Sequence, residues 1–226
     1  MQRLLIVAMT LSLTPPLLGA QARPPAAETL AKSVQQRYAG IKDFSADFVH
    51  VYRGGALRKQ ASERGRVAVK KPGKMRWEYS APERKTFVSD GLKIYSYIPQ
   101  DRQVIVSSVP QGDDATTAVM FLAGKGDVSR DFTASYPQSL PAGIAPAGAV
   151  ALNLVPKRAE RDYDRLILFV DPATLQIRAL TTNDNQGGES TFTFSNMKEN
   201  QGLADKDFAF RIPRGVDVIT DGNVSR

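Results

Sequence analysis

The sequence of 226 residues contains no cysteine and a single histidine, His50. Without cysteine, the chain can form neither a disulfide nor a thiolate metal site, and no cysteine is available to carry an N-terminal lipid. One histidine cannot make the His-x-x-His or His-Glu-x-x-His pattern of zinc enzymes. We therefore expect a protein with no metal and no cofactor.

Catalytic motifs are also missing from the sequence. It has no Gly-x-Ser-x-Gly nucleophile elbow, and His50 shares a predicted strand face with Phe44, Phe48 and Tyr52, which favours a wall or core position over a general base. The carboxylate pairs Asp113-Asp114 and Asp205 with Asp207 lie near predicted loops or helix starts, where capping explains them. We expect a protein that is not an enzyme.

Long apolar runs are confined to the first 22 residues. Arg3, the stretch "LLIVAMTLSL" and Ala20-Gln21-Ala22 predict a cleaved signal peptide at 1–22, followed by one domain at 23–226. A membrane anchor is the alternative, but the run is shorter than the roughly 20 residues of a span, and Pro15-Pro16 interrupts it. In a bacterium, such a chain would be exported to the periplasm.

The formal charge of the whole chain is +7, and residues 23–226 carry 29 basic and 23 acidic residues, a charge of +6. This balance suits weak attraction to anionic membranes or acidic partners, although scattered charges of this kind equally serve solubility. The aromatic residues lack the spacing of an RNA-binding signature. We expect no nucleic-acid partner.

Two periodicities divide the rest of the chain. Apolar residues at helical spacing predict an amphipathic helix over 26–39, and "AVMFLAGKG" at 118–126 predicts a short apolar helix. Asp90-Gly91 predicts a two-residue hairpin loop. A period of two predicts strands at 43–53, 60–70, 74–80, 84–89, 92–98, 150–156, 163–170, 175–183, 190–196 and 207–212. We expect about ten or eleven antiparallel strands and two or three helices.

The hairpin around Pro72-Gly73 has two possible registers. A two-residue loop would set Val69 opposite Arg76 and mix apolar and charged residues on each face. A three-residue loop at 71–73 sorts both faces, because it creates the pairs Lys70 with Lys74, Val69 with Met75, Val67 with Trp77, and Arg66 with Glu78. We prefer the three-residue loop.

On that register the hairpin has one apolar face, and similar alternation recurs at Phe192 and Phe194 and again at Phe208, Phe210 and Ile212. Burying each such side chain contributes about 1.5 to 3 kcal/mol, so helices, a ligand or both must cover the face. A twisted sheet of ten strands tends to curl. The face is therefore either the wall of a ligand cavity or the core of a filled barrel or sandwich.

Five features follow one another in a characteristic order. They are "FSADF" after an N-terminal helix, "GRVAVKKPGKMRWEY" followed by "SAP", "VSDGLKIYSYIPQDRQV", a central apolar helix, and "FAFRIPRGVDVI". Together these features resemble the LolA family of periplasmic carriers of outer-membrane lipoproteins. The resemblance covers roughly residues 27 to 220, and its specificity comes from the ordered set.

The resemblance implies a mainly β fold, an incomplete antiparallel barrel capped by a few short helices that act as a lid. It implies a periplasmic chaperone that takes triacylated lipoproteins from an inner-membrane ABC transporter and passes them to an outer-membrane acceptor, where one is present. We expect a monomer. The implied acyl-chain cavity is lined by Phe44, Phe48, Val67, Val69, Met75, Trp77, Tyr79, Phe192 and Phe194.

The resemblance also implies a lid and a latch. The lid lies within 115–125 and includes Val119, Met120, Phe121 and Leu122. Lys71 matches a basic residue that is often arginine in the family and fixes the lid through hydrogen bonds, whereas an exposed turn lysine is the alternative. Lysine lacks the planar five-donor fork of arginine, and Met75 stands where an aromatic residue is common. The competing function is a lipid- or glycolipid-binding or sensing protein on the same fold.

Overall fold

The computed structural model describes residues 25–54, 60–109, 122–124, 126–159, 163–184, 187–220 and 223–225. The helices in these ranges are α1 (Ala27–Ala39), α2 (Val128–Asp131) and a 3-10 helix (Asp205–Phe208). The strands are β1 (Asp43–Arg53), β2 (Gln60–Lys70), β3 (Lys74–Ala81), β4 (Lys85–Asp90), β5 (Lys93–Ile98), β6 (Gln103–Ser108), β7 (Phe132–Ser135), β8 (Val150–Pro156), β9 (Arg165–Val170), β10 (Ile177–Asn183), β11 (Glu189–Glu199), β12 (Asp217–Thr220) and β13 (Asn223–Ser225). Among the described helices, none is long and apolar enough to cross a membrane.

All thirteen described strands belong to one sheet, in the order β13-β12-β6-β5-β4-β3-β2-β1-β11-β10-β9-β8-β7. Neighbouring strands are antiparallel except β6 and β12, which are parallel. The two end strands, β13 and β7, do not pair with each other, so the sheet is not closed. The predicted mainly β fold with an incomplete antiparallel barrel is therefore confirmed.

The register predicted for the β2–β3 hairpin is also confirmed. Lys70 pairs with Lys74, and the remaining predicted pairs follow in step along both strands. The N–H of Lys71 donates to the carbonyl of Lys42 at 2.8 Å, which ties the turn to the start of β1. The three-residue loop thus places apolar residues on one face and charged residues on the other.

Three details of the predicted strands were wrong. The predicted count of ten or eleven is too low, because β6, β7, β12 and β13 are not in it. The predicted strand over 207–212 is replaced by the 3-10 helix and an extended segment. The two-residue loop between β4 and β5 is Gly91-Leu92, one residue later than the predicted Asp90-Gly91, and Asp90 Oδ1 accepts hydrogen bonds from the N–H groups of Leu92 and Lys93.

We call the side of the sheet that carries Phe48 and Trp77 the inner face. Directly opposed residues of antiparallel strands lie on the same face, so the register assigns every strand residue to one side. α1 covers the inner face with one stripe of buried residues at helical spacing, namely Ala27, Leu30, Ala31, Val34 and Tyr38. The predicted helix is thus present, and its apolar stripe belongs to the main core.

The opposite side, the outer face, is covered by segments without regular strands. The segment 200–216 crosses β2 to β5, where Lys70 Nζ donates to the carbonyl of Leu203 and Arg76 Nε donates to the carbonyl of Asp207. Phe208 is fully buried there, and Phe210 stacks on Tyr95. Phe208 and Phe210 therefore pack on the outer face and do not extend the apolar wall of the inner face. We call residues 200–216 the strap.

Candidate functional site

The nine residues predicted to line an acyl-chain cavity all lie on the inner face. The pairs Phe44 with Val69, Val67 with Trp77, and Phe48 with Phe194 place them on β1, β2, β3 and β11. Their rings form a continuous cluster, in which the centroid of Phe48 lies 5.0 Å from that of Trp77 and 4.9 Å from that of Tyr79. Phe192 lies 5.2 Å from Trp77 and extends the cluster onto β11. We call these nine residues the acyl wall.

The acyl wall is covered in this structure. Seven of its members are buried, while Tyr79 and Phe192 are half-buried. The same core cluster contains the α1 stripe together with Leu122 and Ala123. Residues Val119, Met120 and Phe121 lie outside the described residues, so of the four predicted lid residues only Leu122 can be placed. Its side chain is fully buried against this cluster.

A junction joins α1, the β2–β3 turn and the 122–124 segment. The Tyr38 hydroxyl donates to the carbonyl of Leu122 at 2.8 Å, and the N–H of Gly73 donates to the carbonyl of Ala123 at 2.8 Å. Burial raises the pKa of Tyr38, so its hydroxyl remains a donor at neutral pH. We call Tyr38, Lys71, Gly73 and residues 122–124 the lid junction.

The side chain of Lys71 lies between the C-terminal end of α1 and the 122–124 segment. Its Nζ donates to the backbone carbonyl of Tyr38 and lies 3.6 Å from the centroid of the Tyr38 ring. Its methylene groups pack beside Gly124, where a Cβ would come within 2.9 Å of the lysine Cδ. Burial lowers the pKa of Lys71 to about 8. In the described residues Lys71 therefore holds α1 and packs on the 122–124 segment, while the hydrogen bonds to that segment come from Tyr38 and Gly73.

The acyl wall ends in a cluster of polar side chains, away from the lid junction. Glu63 lies between Lys85, at 2.5 Å, and His50, whose Nδ1 is 3.2 Å from the carboxylate. His50 Nε2 is 2.7 Å from Ser190 Oγ, and its ring stacks on Phe192 with centroids 4.1 Å apart. Burial lowers the pKa of His50, against the opposing effect of its hydrogen bond to Glu63. We call His50, Glu63, Lys85 and Ser190 the polar end.

Ser190, His50 and Glu63 are connected in the order found in serine hydrolases. An oxyanion hole, however, needs free backbone donors beside the serine. β11 is an interior strand between β1 and β10, so the N–H groups on both sides of Ser190 are used in the two ladders. Binding is therefore a better interpretation of the polar end than catalysis. Within the described ranges, no group of three or more acidic or histidine side chains could hold a metal ion.

The outer face carries a groove of about 670 Å³ between β11, β1, β2 and β3. Arg66 and Asp47 form an ion pair across it, and Arg76, Glu78 and Asn196 add further polar groups. Acyl chains gain little by entering a groove lined with charges, because its hydration would be lost. The inner face is thus the better candidate for an apolar ligand.

The sequence interpretation missed Tyr38, Gly73 and three members of the polar end. The register of the β2–β3 hairpin contained a usable signal, because it places Tyr79 opposite Gly65 on the inner face and hence Glu63 two residues further along the same face. Lys85 then follows as the partner of Tyr79 on β4. Ser190 alternates with Phe192 on β11 and could be assigned in the same way.

Comparison with known proteins gives a consistent result over most of the chain. The family model described as outer membrane lipoprotein carrier protein LolA matches residues 39–211. An outer-membrane lipoprotein carrier protein of Chromohalobacter salexigens is 32% identical over 219 residues, 96% of either chain. One from Methylobacillus flagellatus is 28% identical over 83% of this chain and 87% of its own.

Among solved structures, an uncharacterized conserved protein from Thermus thermophilus superposes with a TM-score of 0.51 at 16% identity. The superposition covers 84% of this chain and 99% of the other. At that identity the similarity concerns the fold alone.

Proposed function

Since this chain belongs to the LolA family of outer membrane lipoprotein carrier proteins, we propose that it shields the acyl chains of triacylated lipoproteins and carries them across the periplasm. Cargo would come from an inner-membrane lipoprotein-releasing ABC transporter and pass to an outer-membrane acceptor, where the organism has one. The protein would act as a monomer without catalysing a reaction. Residues 1–22 would direct it to the periplasm and be removed.

The observation that carries this proposal is the acyl wall and the nature of its cover. Three sheet-borne aromatic residues, Phe48, Trp77 and Phe192, touch one another on the inner face, and α1 and Leu122 pack over the same surface. Burial of each methylene of an acyl chain contributes about 0.8 kcal/mol, so a carrier needs an apolar surface that can exchange one cover for another. Met75 suits such a wall because methionine repacks around different shapes.

The protein has to release its cargo without a nucleotide of its own. The acyl wall must therefore bind the acyl chains with a free energy close to that with which it binds its own cover, α1 and the 122–124 segment. The cover is fixed at the lid junction by a few hydrogen bonds, each contributing about 1 kcal/mol net. A ligand that binds only the uncovered state shifts the population toward it in proportion to its own differential affinity. In this proposal the lid junction sets how readily the wall is exposed, and Lys71 contributes by holding α1.

The proposal is tested by release of a lipoprotein from inner-membrane vesicles that contain the transporter. Trp77→Glu puts a charge in the centre of the acyl wall and is expected to abolish release. Val49→Glu is a matched control, because Val49 is exposed on the outer face of β1, two strands away from β3 in the same sheet. Normal release by a folded Trp77→Glu protein would contradict the assignment of the wall.

A second measurement covers the case in which Trp77→Glu fails to fold. A photo-crosslinking phenylalanine derivative at position 192, which is half-buried, keeps the aromatic character of the wall. It should capture lipoprotein during release, whereas the same group at position 49 should not. Crosslinks to phospholipid or glycolipid alone would instead favour a lipid-binding or sensing protein.

A further inference from the structure

One buried donor on the inner face has no hydrogen-bond acceptor. The side chain of Trp77 is only 4% exposed, and its indole N–H has no partner among the described residues. Leaving a buried donor unpaired costs about 1–3 kcal/mol, and such groups are rare enough in folded proteins to need an explanation. A ligand that brings its own acceptor into the acyl wall supplies one.

The polar end lies in the adjoining part of the same face. Lys85 pairs with Tyr79 on the next inner row along β3 from Trp77, about 7 Å further by strand geometry. The Phe192 ring contacts both the indole of Trp77 and the imidazole of His50. Donors of the two regions thus border one stretch of aromatic wall.

Within the polar end, Lys85 has N–H donors that are not used in its bond to Glu63. The Glu63 carboxylate only accepts, so His50 Nδ1 carries the proton and its Nε2 accepts from the Ser190 hydroxyl. The Lys85 ammonium has three N–H donors and directs one of them to Glu63. Its side chain is 22% exposed, which leaves it within reach of a bound molecule. Glu63 and Tyr79 hold Lys85 in place from two sides.

We propose that Trp77 and Lys85 form an ester-recognition subsite on the acyl wall, which hydrogen-bonds the two ester carbonyl oxygens of a diacylglyceryl ligand. Apolar sites gain orientation and specificity from a few placed polar groups, and two donors spaced along the wall fit two carbonyls at the base of two acyl chains. His50, Glu63 and Ser190 position Lys85 and close the polar end. This inference rests on the proposed function.

The test compares two ligands that differ only in the carbonyls. One is a synthetic lipopeptide that carries dipalmitoylglyceryl-cysteine, and the other is its dialkyl ether analogue. Affinities are measured by displacement of a fluorescent apolar probe. The wild-type protein should bind the ester about tenfold or more tightly than the ether, because a hydrogen bond to a charged donor is worth that factor or more. Lys85→Met should reduce the preference to about threefold or less, whereas Trp77→Phe, which keeps the charged donor, should lower it by about threefold.

Two further variants separate recognition from folding. Lys85→Arg keeps a cation beside Glu63 and should retain the preference, even if Lys85→Met proves unstable. Lys93→Met removes an exposed lysine of β5 and should leave the preference unchanged. Equal affinity of the wild-type protein for ester and ether would overturn the subsite while leaving acyl-chain shielding intact. Failure to bind either ligand would overturn the proposed function as well.

A diester and diether phospholipid pair identifies the source of the ester. A preference limited to the lipopeptide pair would support the subsite with lipoprotein as its ligand. The same preference for the phospholipid pair would support a subsite that binds diacylglyceryl esters of lipoproteins and of phospholipids alike.

Discussion

Removing the Tyr38 hydroxyl should loosen the lid junction without unfolding the protein. In Tyr38→Phe the ring stays in the core, but the buried carbonyl of Leu122 loses the hydroxyl that donates to it at 2.8 Å. A neutral hydrogen bond contributes about 1 kcal/mol net, and an unsatisfied buried acceptor adds to the cost, so the closed junction should lose about 1–2 kcal/mol. That change raises the opening equilibrium about 5- to 30-fold.

Amide hydrogen exchange reports this equilibrium at a known position. The N–H of Gly73 is bonded to the carbonyl of Ala123, so it exchanges when the 122–124 segment leaves the turn. Its exchange rate should rise about 5- to 30-fold in Tyr38→Phe. The amide of Leu180, in the ladder between β10 and its neighbours, should keep its wild-type rate.

A matched control uses Tyr95→Phe, which removes a hydroxyl from the outer face. It should leave the exchange of Gly73 unchanged. An unaltered Gly73 rate in folded Tyr38→Phe would refute the role of this hydrogen bond in the lid junction. Equal acceleration at Gly73 and Leu180 would also refute it, because the bond would then contribute to global stability alone.

The remaining predictions concern Lys71, Gly65 and Phe208. Because burial lowers the pKa of Lys71 from 10.5 to about 8, the unfolded chain binds more protons between these values. The free energy of unfolding of the wild type should therefore rise from pH 8 to 10.5 relative to that of Lys71→Leu, as measured by urea denaturation. In Gly65→Ala the new Cβ would lie 2.0 Å from the carbonyl oxygen of Glu78, so the strands must separate and the melting temperature should fall by about 5–10 °C. Phe208→Ala removes the buried ring through which the strap packs on the outer face. It should cost about 3–5 kcal/mol in the same denaturation assay, while ligand binding to the folded protein persists.

A different outcome in each experiment would contradict the corresponding prediction. If the free energy of unfolding of the wild type, relative to that of Lys71→Leu, stays level or falls from pH 8 to 10.5, burial does not disfavour the charge of Lys71. Wild-type stability of Gly65→Ala would contradict the close approach of β2 and β3. Loss of ligand binding by folded Phe208→Ala would place the strap in the site, where the geometry puts it on the opposite face.

The parts of the fold that local pattern determines were predictable. Alternation along 67–79 permitted one register that sorted both faces, and that register is the one observed. The stripe of α1 was equally clear, because its buried positions recur at helical spacing. Both elements satisfy their hydrogen bonds and bury their apolar residues with near neighbours in sequence.

The C-terminal part was predicted less well because its structure depends on distant contacts. Phe208 and Phe210 alternate like strand residues, yet they lie outside any strand and pack on the outer face, where Phe210 stacks on Tyr95. β12 pairs in parallel with β6, more than 100 residues earlier in the chain, and only the path of the strap makes that pairing possible. No local periodicity encodes such a partner.

In the candidate site, the hairpin register predicted the shared face of Val67, Val69, Met75, Trp77 and Tyr79, but it did not predict what covers that face. Which helix packs on which face depends on tertiary contacts such as that between Tyr38 and Leu122, 84 residues apart. The basic residue at position 71 was identified only through the family resemblance, and its observed contact is with α1. The roles of the wall, the lid and the latch stay predictions until they are tested.

The proposed function requires that this protein bind acylated lipoproteins in the periplasm. The most direct measurement is mass spectrometry, under native conditions, of the protein captured from the periplasm together with whatever copurifies. We expect intact triacylated lipoproteins in near-stoichiometric amount with the wild-type protein, and their loss from Trp77→Glu. Free phospholipid or glycolipid without any lipoprotein would contradict the proposed function.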